Sequence, residues 1–367
     1  MSKAFLLGKT TIEKLGFKTE QAYKDNDIDV RLDSDVERID RENNCVWVGG
    51  NAIVYDKLIL ATGARPIIPP IAGIERANNL FTMRNLQDAE QLKLLVDSYA
   101  DQQINVVIIG AGYIGLEAAA SLITLGARVT VLERESRVLS RVTSPVMSEY
   151  VEHYHKNKGV QICKNKQVTA IEQVENKQVV RCSDNAEFAA DIVLVGVGVR
   201  PNQSLAEDSG LACDNGVVIN PLCQTDDDNV LAIGDCARFF HPVYNQSIRL
   251  ESVQNATDMA KVAAKTIVGI TENYHRIPWF WSDQYDMKIQ IVGMSSDECV
   301  VIVRPELDRQ NCLSIWYFLG EELRCVEAIN NPKAYMLGMK AIQTQSKVNR
   351  QTLEDPNVPL NIGMLVN

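Results

Sequence analysis

The sequence predicts an α/β protein with two Rossmann-like nucleotide-binding domains, one inserted into the other, followed by a C-terminal α+β domain. Three observations carry that prediction. A complete strand–glycine loop–helix–strand unit lies mid-chain, from Val106 to Leu139. Two similar segments bracket it: YDKLILATGARP (Tyr55 to Pro66) and ADIVLVGVGVRPN (Ala190 to Asn202) each run an acid, an apolar strand, a Gly-containing turn and Arg-Pro. Beyond Pro278 the pattern becomes strand-rich and closes on a helix.

Size and composition bound the answer. The 367 residues exceed one ordinary core, so two or three domains are expected. Hydrophobic content of 46% with 23% charge is that of a globular protein. A net charge of −10, with no basic run to neutralise phosphates, argues against nucleic acid. The apolar run in MSKAFLLGKTT is too short for a signal peptide, and later runs are broken by Gly or charge, so no membrane span is expected. Nine cysteines, an odd number without secretory context, point to a reducing cytoplasm. They contain no C-x-x-C or C-x-x-x-x-C pair, so a redox-active dithiol, a zinc site and an iron–sulfur site all lack candidates. His153 and His155 have no third ligand and read as surface helix residues, and no metal is expected.

Along the chain, residues 1–101 mix a helical start with short strands at Asn44–Gly49 and Asp56–Thr62. Residues 102–221 form the inserted nucleotide domain, with strands near Val160–Ile162, Val179–Arg181 and Ile192–Val197. Residues 222–277 return to the first domain through VLAIGDCARF and a helix over Ser252–Val268. Residues 278–367 carry strands at Ile289–Gly293, Cys299–Val303, Leu313–Leu319 and Leu323–Glu327, then a helix over Pro332–Thr344.

The mid-chain loop G-A-G-Y-I-G assigns a role to each glycine. Gly110 permits the tight turn, Gly112 lets a pyrophosphate approach the backbone, and Gly115 lets the helix pack on the strand. The helix N-terminus offers free N–H groups to the phosphates. Glu133 ends the second strand, where a carboxylate accepts from ribose hydroxyls and repels a 2′-phosphate, favouring NADH; Arg134 and Arg137 argue for NADPH. In ATGAR, the strand end at Thr62 and Gly63 lets backbone pass close to a nucleotide. In AIGDCAR, Gly234 and Asp235 place a carboxylate for polyol hydroxyls or, equally, for capping a helix. Ser252 or a neighbour caps the next helix, whose N-terminus suits an anionic flavin ring.

Taken together, SKAFLLGK at Ser2, YDKLILATGARP, GAGYIGLEAAA, NGVVIN at Asn215, AIGDCARF, ESVQNATDMA, PWFWSDQYD at Pro278 and VEAINNPKAYM occur in an order that resembles the FAD-dependent pyridine nucleotide:ferredoxin reductases of the putidaredoxin reductase type. The resemblance implies a flavoprotein in which NADH delivers a hydride to FAD and the reduced flavin passes single electrons to a small iron–sulfur protein. It implies flavin contacts from Lys3, Val36, Arg84, Asp235 and Val253, with Lys3 and Trp281 beside the reacting ring. For the pyridine nucleotide it implies Gly110, Gly112, Ile114, Gly115 and Glu133 at the adenosine half, with Glu117 and Gly198 nearer the nicotinamide. Read without the resemblance, Trp279 and Trp281 are core residues. Arg304, Arg309 and Lys333 are candidates for docking an acidic ferredoxin.

The family opens with its own strand–GxGxxG–helix unit for the ADP half of FAD, whereas this chain starts at Met1-Ser2-Lys3, where the family reads Leu-Ser-Lys. The expectation is therefore a discontinuous FAD domain that is N-terminally truncated. A start codon assigned inside a longer gene, and a truly truncated chain whose FAD binding is weak or absent, are the two explanations. The alternatives to a ferredoxin reductase are a non-redox NAD(H)-binding remnant and a flavin reductase that uses rubredoxin or a small-molecule acceptor.

Overall fold

Short β-rich runs separated by polar turns open the chain, and the computed structural model describes residues 4–99, 102–174 and 177–366. After the one-turn helix α1 (Glu20–Lys24), the strands β1 (Val36–Asp40), β2 (Cys45–Val48) and β3 (Asn51–Val54) form an antiparallel meander. The apolar run β4 (Leu58–Leu60) leads through Thr62 and Gly63 into β5 (Ala64–Pro66).

The next unit is built around a parallel sheet. Its elements are β6 (Leu80–Phe81), α2 (Leu86–Ser98), β7 (Asn105–Ile109), α3 (Tyr113–Thr124), β8 (Arg128–Leu132), α4 (Pro145–Asn157), β9 (Gln161–Cys163), the meander β10 (Val168–Val174), β11 (Lys177–Cys182) and β12 (Glu187–Ala190), and β13 (Ile192–Val195). The sheet order is β6-β13-β7-β8-β9, with every pair parallel. Because β7 and β13 are covered on both faces, they read as unbroken apolar runs rather than alternating ones. On one face lie α2, α3 and α4, which contribute Leu92, Leu116, Leu122 and Val151 to a shared core. On the other, the meander packs Ile171, Val180 and Cys182 against Val107, Ile109, Val193 and Val195.

The strand β14 (Val199–Pro201) then pairs antiparallel with β5, Arg200 opposite Arg65. The two Arg-Pro segments are thus one ribbon, carrying the chain into and out of the inserted unit. We place the unit's boundaries at this ribbon: β6 hydrogen-bonds to β13 and α2 packs on the same sheet, so the unit begins ahead of residue 102 and ends ahead of residue 221. A short helix α5 (Ser204–Asp208) follows.

The chain then returns to the first domain. The strands β15 (Val217–Ile219), β16 (Val230–Ala232), β17 (Ala237–His241) and β18 (Gln246–Ile248) precede α6 (Val253–Ile267). β16 lies parallel to β4, and α6 buries Met259, Val262 and Ala263 in one core with Leu60, Val230 and Phe239. The C-terminal domain is an antiparallel sheet of β19 (Trp279–Gln284), β20 (Met287–Gly293), β21 (Val300–Pro305), β22 (Leu313–Leu319) and β23 (Glu322–Ile329), in the order β19-β20-β23-β22-β21. Strand alternation sends Trp316, Phe318 and Val326 against the helix α7 (Pro332–Thr344) and Ile315, Tyr317 and Cys325 to the other face. That second face shares a core with the nucleotide unit, so the two are docked by apolar packing. Glu327 reinforces the dock: buried on β23, it accepts from the Ser144 hydroxyl that caps α4 (3.1 Å) and from Tyr317 (2.6 Å). Burial pushes its carboxyl above the usual range.

Arg304 is 1% exposed and donates to the carbonyls of Leu353, Asp355 and Val358. A buried guanidinium held by three carbonyls is a structural tie and not a docking cation, whereas Arg309 and Lys333 are exposed. Among the described residues no helix is long and apolar enough to cross a membrane.

Candidate functional site

The glycine loop sits at the carboxyl end of β7, where strand order reverses between β8 and β13. This switch point is where open parallel sheets take their ligands. Gly110 has φ +102°, and a Cβ there would lie 2.6 Å from the Gly196 carbonyl oxygen. At Gly115 a Cβ would lie 2.2 Å from the Gly110 carbonyl oxygen, so only glycine lets α3 approach the loop. Gly112 differs: its φ is an ordinary −78° and a Cβ would meet nothing closer than Gly196 O at 3.8 Å. The protein itself places no demand for glycine there, and the bare backbone leaves room for a ligand to lie close. No side chain caps α3, which leaves its first N–H groups to an anion.

Glu133 completes the cradle. One carboxylate oxygen accepts from Ala111 N–H (2.7 Å) and the other from Glu135 N–H (2.8 Å), fixing the acid beside the loop with lone pairs left for ribose hydroxyls. Arg137 is committed elsewhere, donating to Thr143 O, Ser140 O and the Ser148 hydroxyl, while Arg134 pairs with Glu135. The argument for NADPH therefore loses Arg137. Ile114 is half exposed beside the loop, and Gly198 (φ +117°) lies in the turn after β13. Glu117, on α3, is 6% exposed and accepts from Ser282 of the C-terminal domain at 2.6 Å. These residues fit a dinucleotide.

A second cluster forms where β4, the segment before α2, and the turn after β16 converge. Arg84 and Asp235 pair at 3.3 Å, and Asp88 orients Arg84 by accepting from its backbone N–H. Gly63 (φ +66°) passes beneath the Arg84 guanidinium, and Gly234 (φ +73°) packs on Ala256 of α6. Ser252 caps α6 by accepting from Asn255 N–H, and Val253, its first residue, is 63% exposed. Thr62 donates to Asn202 O, whose side chain returns a bond to Thr62 O, so the ribbon braces this cluster. A carboxylate beside a helix N-terminus suits the polyol and ring end of a flavin. Among the described residues the G-x-G-x-x-G loop lies in the inserted unit, apart from this second cluster.

A family model described as pyridine nucleotide-disulphide oxidoreductase matches residues 1–260, and one described as reductase C-terminal matches residues 279–362. The chain belongs to this oxidoreductase family, in its putidaredoxin reductase type. It is 38% identical to putidaredoxin reductase of Pseudomonas putida over 98% of this chain and 86% of that protein. It is 36% identical to rhodocoxin reductase of Rhodococcus erythropolis over 99% of this chain and 84% of that protein. The crystal structure of a covalent putidaredoxin reductase–putidaredoxin complex superposes with a TM-score of 0.92 at 39% identity, covering 98% of this chain and 86% of that one.

Within that family frame, not every expected residue joins a cluster. Val36 opens β1, exposed, and Trp281 stands on β19; among the described residues no hydrogen bond or ion pair ties either to Arg84–Asp235. Trp281 is 36% exposed, its ring 5.4 Å from that of Trp279, and both line an open depression of about 740 Å³ with Lys288 and Arg309. Trp281 is not a core residue. Lys3 lies outside the described residues. His155, expected on the surface, is fully buried between α4 and the β19–β20 hairpin, because it falls on the face of α4 that the C-terminal domain covers; His153 stays exposed. Sequence reading also missed Arg249, which donates to Asp235 O at 3.0 Å, and the pair Ser282 and Gln284. The alternation Trp281–Ser282–Asp283–Gln284 was their only signal.

Proposed function

We propose that this protein is an FAD-dependent reductase that takes electrons from NADH and passes them to a small iron–sulfur protein such as a ferredoxin. The observation that carries the reading is the pairing of a dinucleotide cradle at Gly112 and Glu133 with the Arg84–Asp235 cluster, braced by one ribbon in a chain similar to such reductases over nearly its whole length. When bound, FAD supplies the exchange between a two-electron donor and a one-electron acceptor.

The chain's residues bind, orient and select. Backbone N–H groups at the start of α3 hold the dinucleotide pyrophosphate, with Gly110 and Gly115 shaping the turn. Glu133 takes the adenosine ribose hydroxyls and repels a 2′-phosphate, which favours NADH over NADPH. Ile114, Glu117 and Gly198 line the path toward the nicotinamide. Asp235 accepts from polyol hydroxyls, Thr62, Gly63 and Gly234 let backbone pass close by, and Arg84 holds Asp235 in place. The α6 N-terminus at Val253 offers a positive dipole end. Val36, Lys3 and Trp281 complete the ring environment by family likeness. The nine cysteines, all free, fit the cytoplasm.

Purified protein supplied with FAD should show a visible flavin band that NADH bleaches and oxidised ferredoxin restores. Folded protein that binds NADH but takes up no FAD would overturn the proposal.

A further inference from the structure

A buried chain of hydrogen bonds crosses from the C-terminal domain to Glu117. The Tyr285 hydroxyl lies 3.3 Å from Nδ1 of His155, and His155 Nε2 lies 2.7 Å from Gln284 Oε1. Gln284 Nε2 donates to the Ser282 hydroxyl (3.1 Å), which donates to the Glu117 carboxylate (2.6 Å). His155, Gln284 and Ser282 are each 0% exposed.

The direction of the chain follows from its members. Burial holds the His155 ring at about 4, so at neutral pH the ring carries one proton. Gln284 Oε1 can only accept, which puts that proton on Nε2 and leaves Nδ1 to accept from Tyr285. Every donor then points toward Glu117. The amide in the middle has no proton to relay onward, so the chain aligns dipoles and fixes geometry rather than conducting protons. It also alternates between units: Glu117 and His155 belong to α3 and α4, whereas Ser282, Gln284 and Tyr285 belong to the β19–β20 hairpin.

We infer that Ser282, backed by Gln284 and His155, is a positioning residue through which the C-terminal domain orients the Glu117 carboxylate toward the nicotinamide end of the dinucleotide. This rests on the proposed placement of Glu117 near the nicotinamide. A carboxylate is directional only when its oxygens are held, and the Ser282 hydroxyl holds one Glu117 oxygen from the C-terminal domain. Ser282 sits back to back with the exposed Trp281 on β19, so one strand serves both Glu117 and the Trp281 depression.

The test uses the FAD-supplied protein and two readouts: NAD+ affinity by calorimetry, and the rate of flavin bleaching at saturating NADH. Ser282→Ala is expected to weaken NAD+ binding and slow bleaching, each by roughly tenfold, the scale of a hydrogen bond to a charged group. Ser282→Thr, which keeps the hydroxyl, restores both. Glu117→Gln shows the same losses, and adding Ser282→Ala to it changes little more. Wild-type behaviour of Ser282→Ala beside an impaired Glu117→Gln overturns the inference and leaves the Glu117 placement standing, as do losses that simply add in the double variant. An unimpaired Glu117→Gln overturns the placement and the inference with it. If Ser282→Ala does not fold, Ser282→Cys carries the test: similar in volume but a weaker donor, it shows smaller losses in the same direction, and unchanged values there are equally fatal.

Discussion

Gly112→Ala and Gly115→Ala separate what the fold needs from what the dinucleotide needs. At Gly115 the added methyl would meet the Gly110 carbonyl oxygen at 2.2 Å and Ile108 Cγ2 at 3.3 Å. That oxygen belongs to a turn at φ +102°, itself packed on Gly196, so relief of about 1 Å must come from sliding α3 off β7. Overpacking of this kind costs about 3 kcal/mol, which for 367 residues unfolding together corresponds to a fall of roughly 4 °C in unfolding temperature. At Gly112 the methyl meets only Gly196 O, at 3.8 Å, with no backbone strain. Losing glycine at a helix N-cap costs about 0.5–1 kcal/mol, and the stiffer unfolded chain returns about 0.4–1 kcal/mol, so stability stays nearly level. The methyl nevertheless stands where the pyrophosphate would lie on the backbone. Calorimetric titration with NAD+ and thermal unfolding of both variants should therefore give opposite patterns: Gly112→Ala folds as the parent does but loses at least about tenfold in affinity, whereas Gly115→Ala loses stability first. Parental NAD+ affinity in Gly112→Ala would refute the placement of the phosphates.

Three further outcomes follow from other parts of the structure. Replacing Arg304 by Met removes the donor to the buried Leu353 carbonyl and the less buried Asp355 and Val358 carbonyls, together with the ion-pair partner of Glu306, and should cost about 2–4 kcal/mol in denaturant unfolding, with NAD+ affinity unchanged in the folded protein. His155 is held neutral by burial, its folded value at about 4 against 6.5. The unfolded state thus binds more protons between those limits, and the stability His155 contributes is complete above about pH 6.5 and lost as pH falls toward about 4, up to about 3 kcal/mol in all. Urea midpoints across that window should fall less steeply in His155→Phe than in the parent. Glu133→Ala removes the acceptor of two backbone N–H groups and the proposed ribose contact, so it should weaken NADH binding by about 10- to 100-fold while narrowing the preference over NADPH, measured by titration with each.

The α/β class, the glycine loop, Glu133, the α6 cap at Ser252 and four of the five strands of the C-terminal sheet were legible in the sequence because each is a local pattern; β19, with Trp279–Gln284, was not among them. Period-2 and period-3.6 alternation, a glycine spacing and a capping serine are set by neighbours a few residues away. The motifs that carried the family likeness were equally local, and their order along the chain did the rest.

Tertiary structure alone decided three things, each involving residues distant in sequence. The ribbon of β5 and β14 joins Arg65 to Arg200, turning what looked like a repeated motif into a crossing between units. Buried roles went to Arg304 and His155, a charged end of an apolar strand and a helix residue that sequence alone leaves at the surface; what buries them is a partner element, the carbonyls from Leu353 to Val358 in one case and the β19–β20 hairpin in the other. Ser282 was set against Glu117, 165 residues away, and a hydroxyl on a strand reveals nothing of its partner until the sheet docks. Local pattern determines which element forms and which face is apolar; which charges that face then meets depends on how the units pack, and that is written in no single segment.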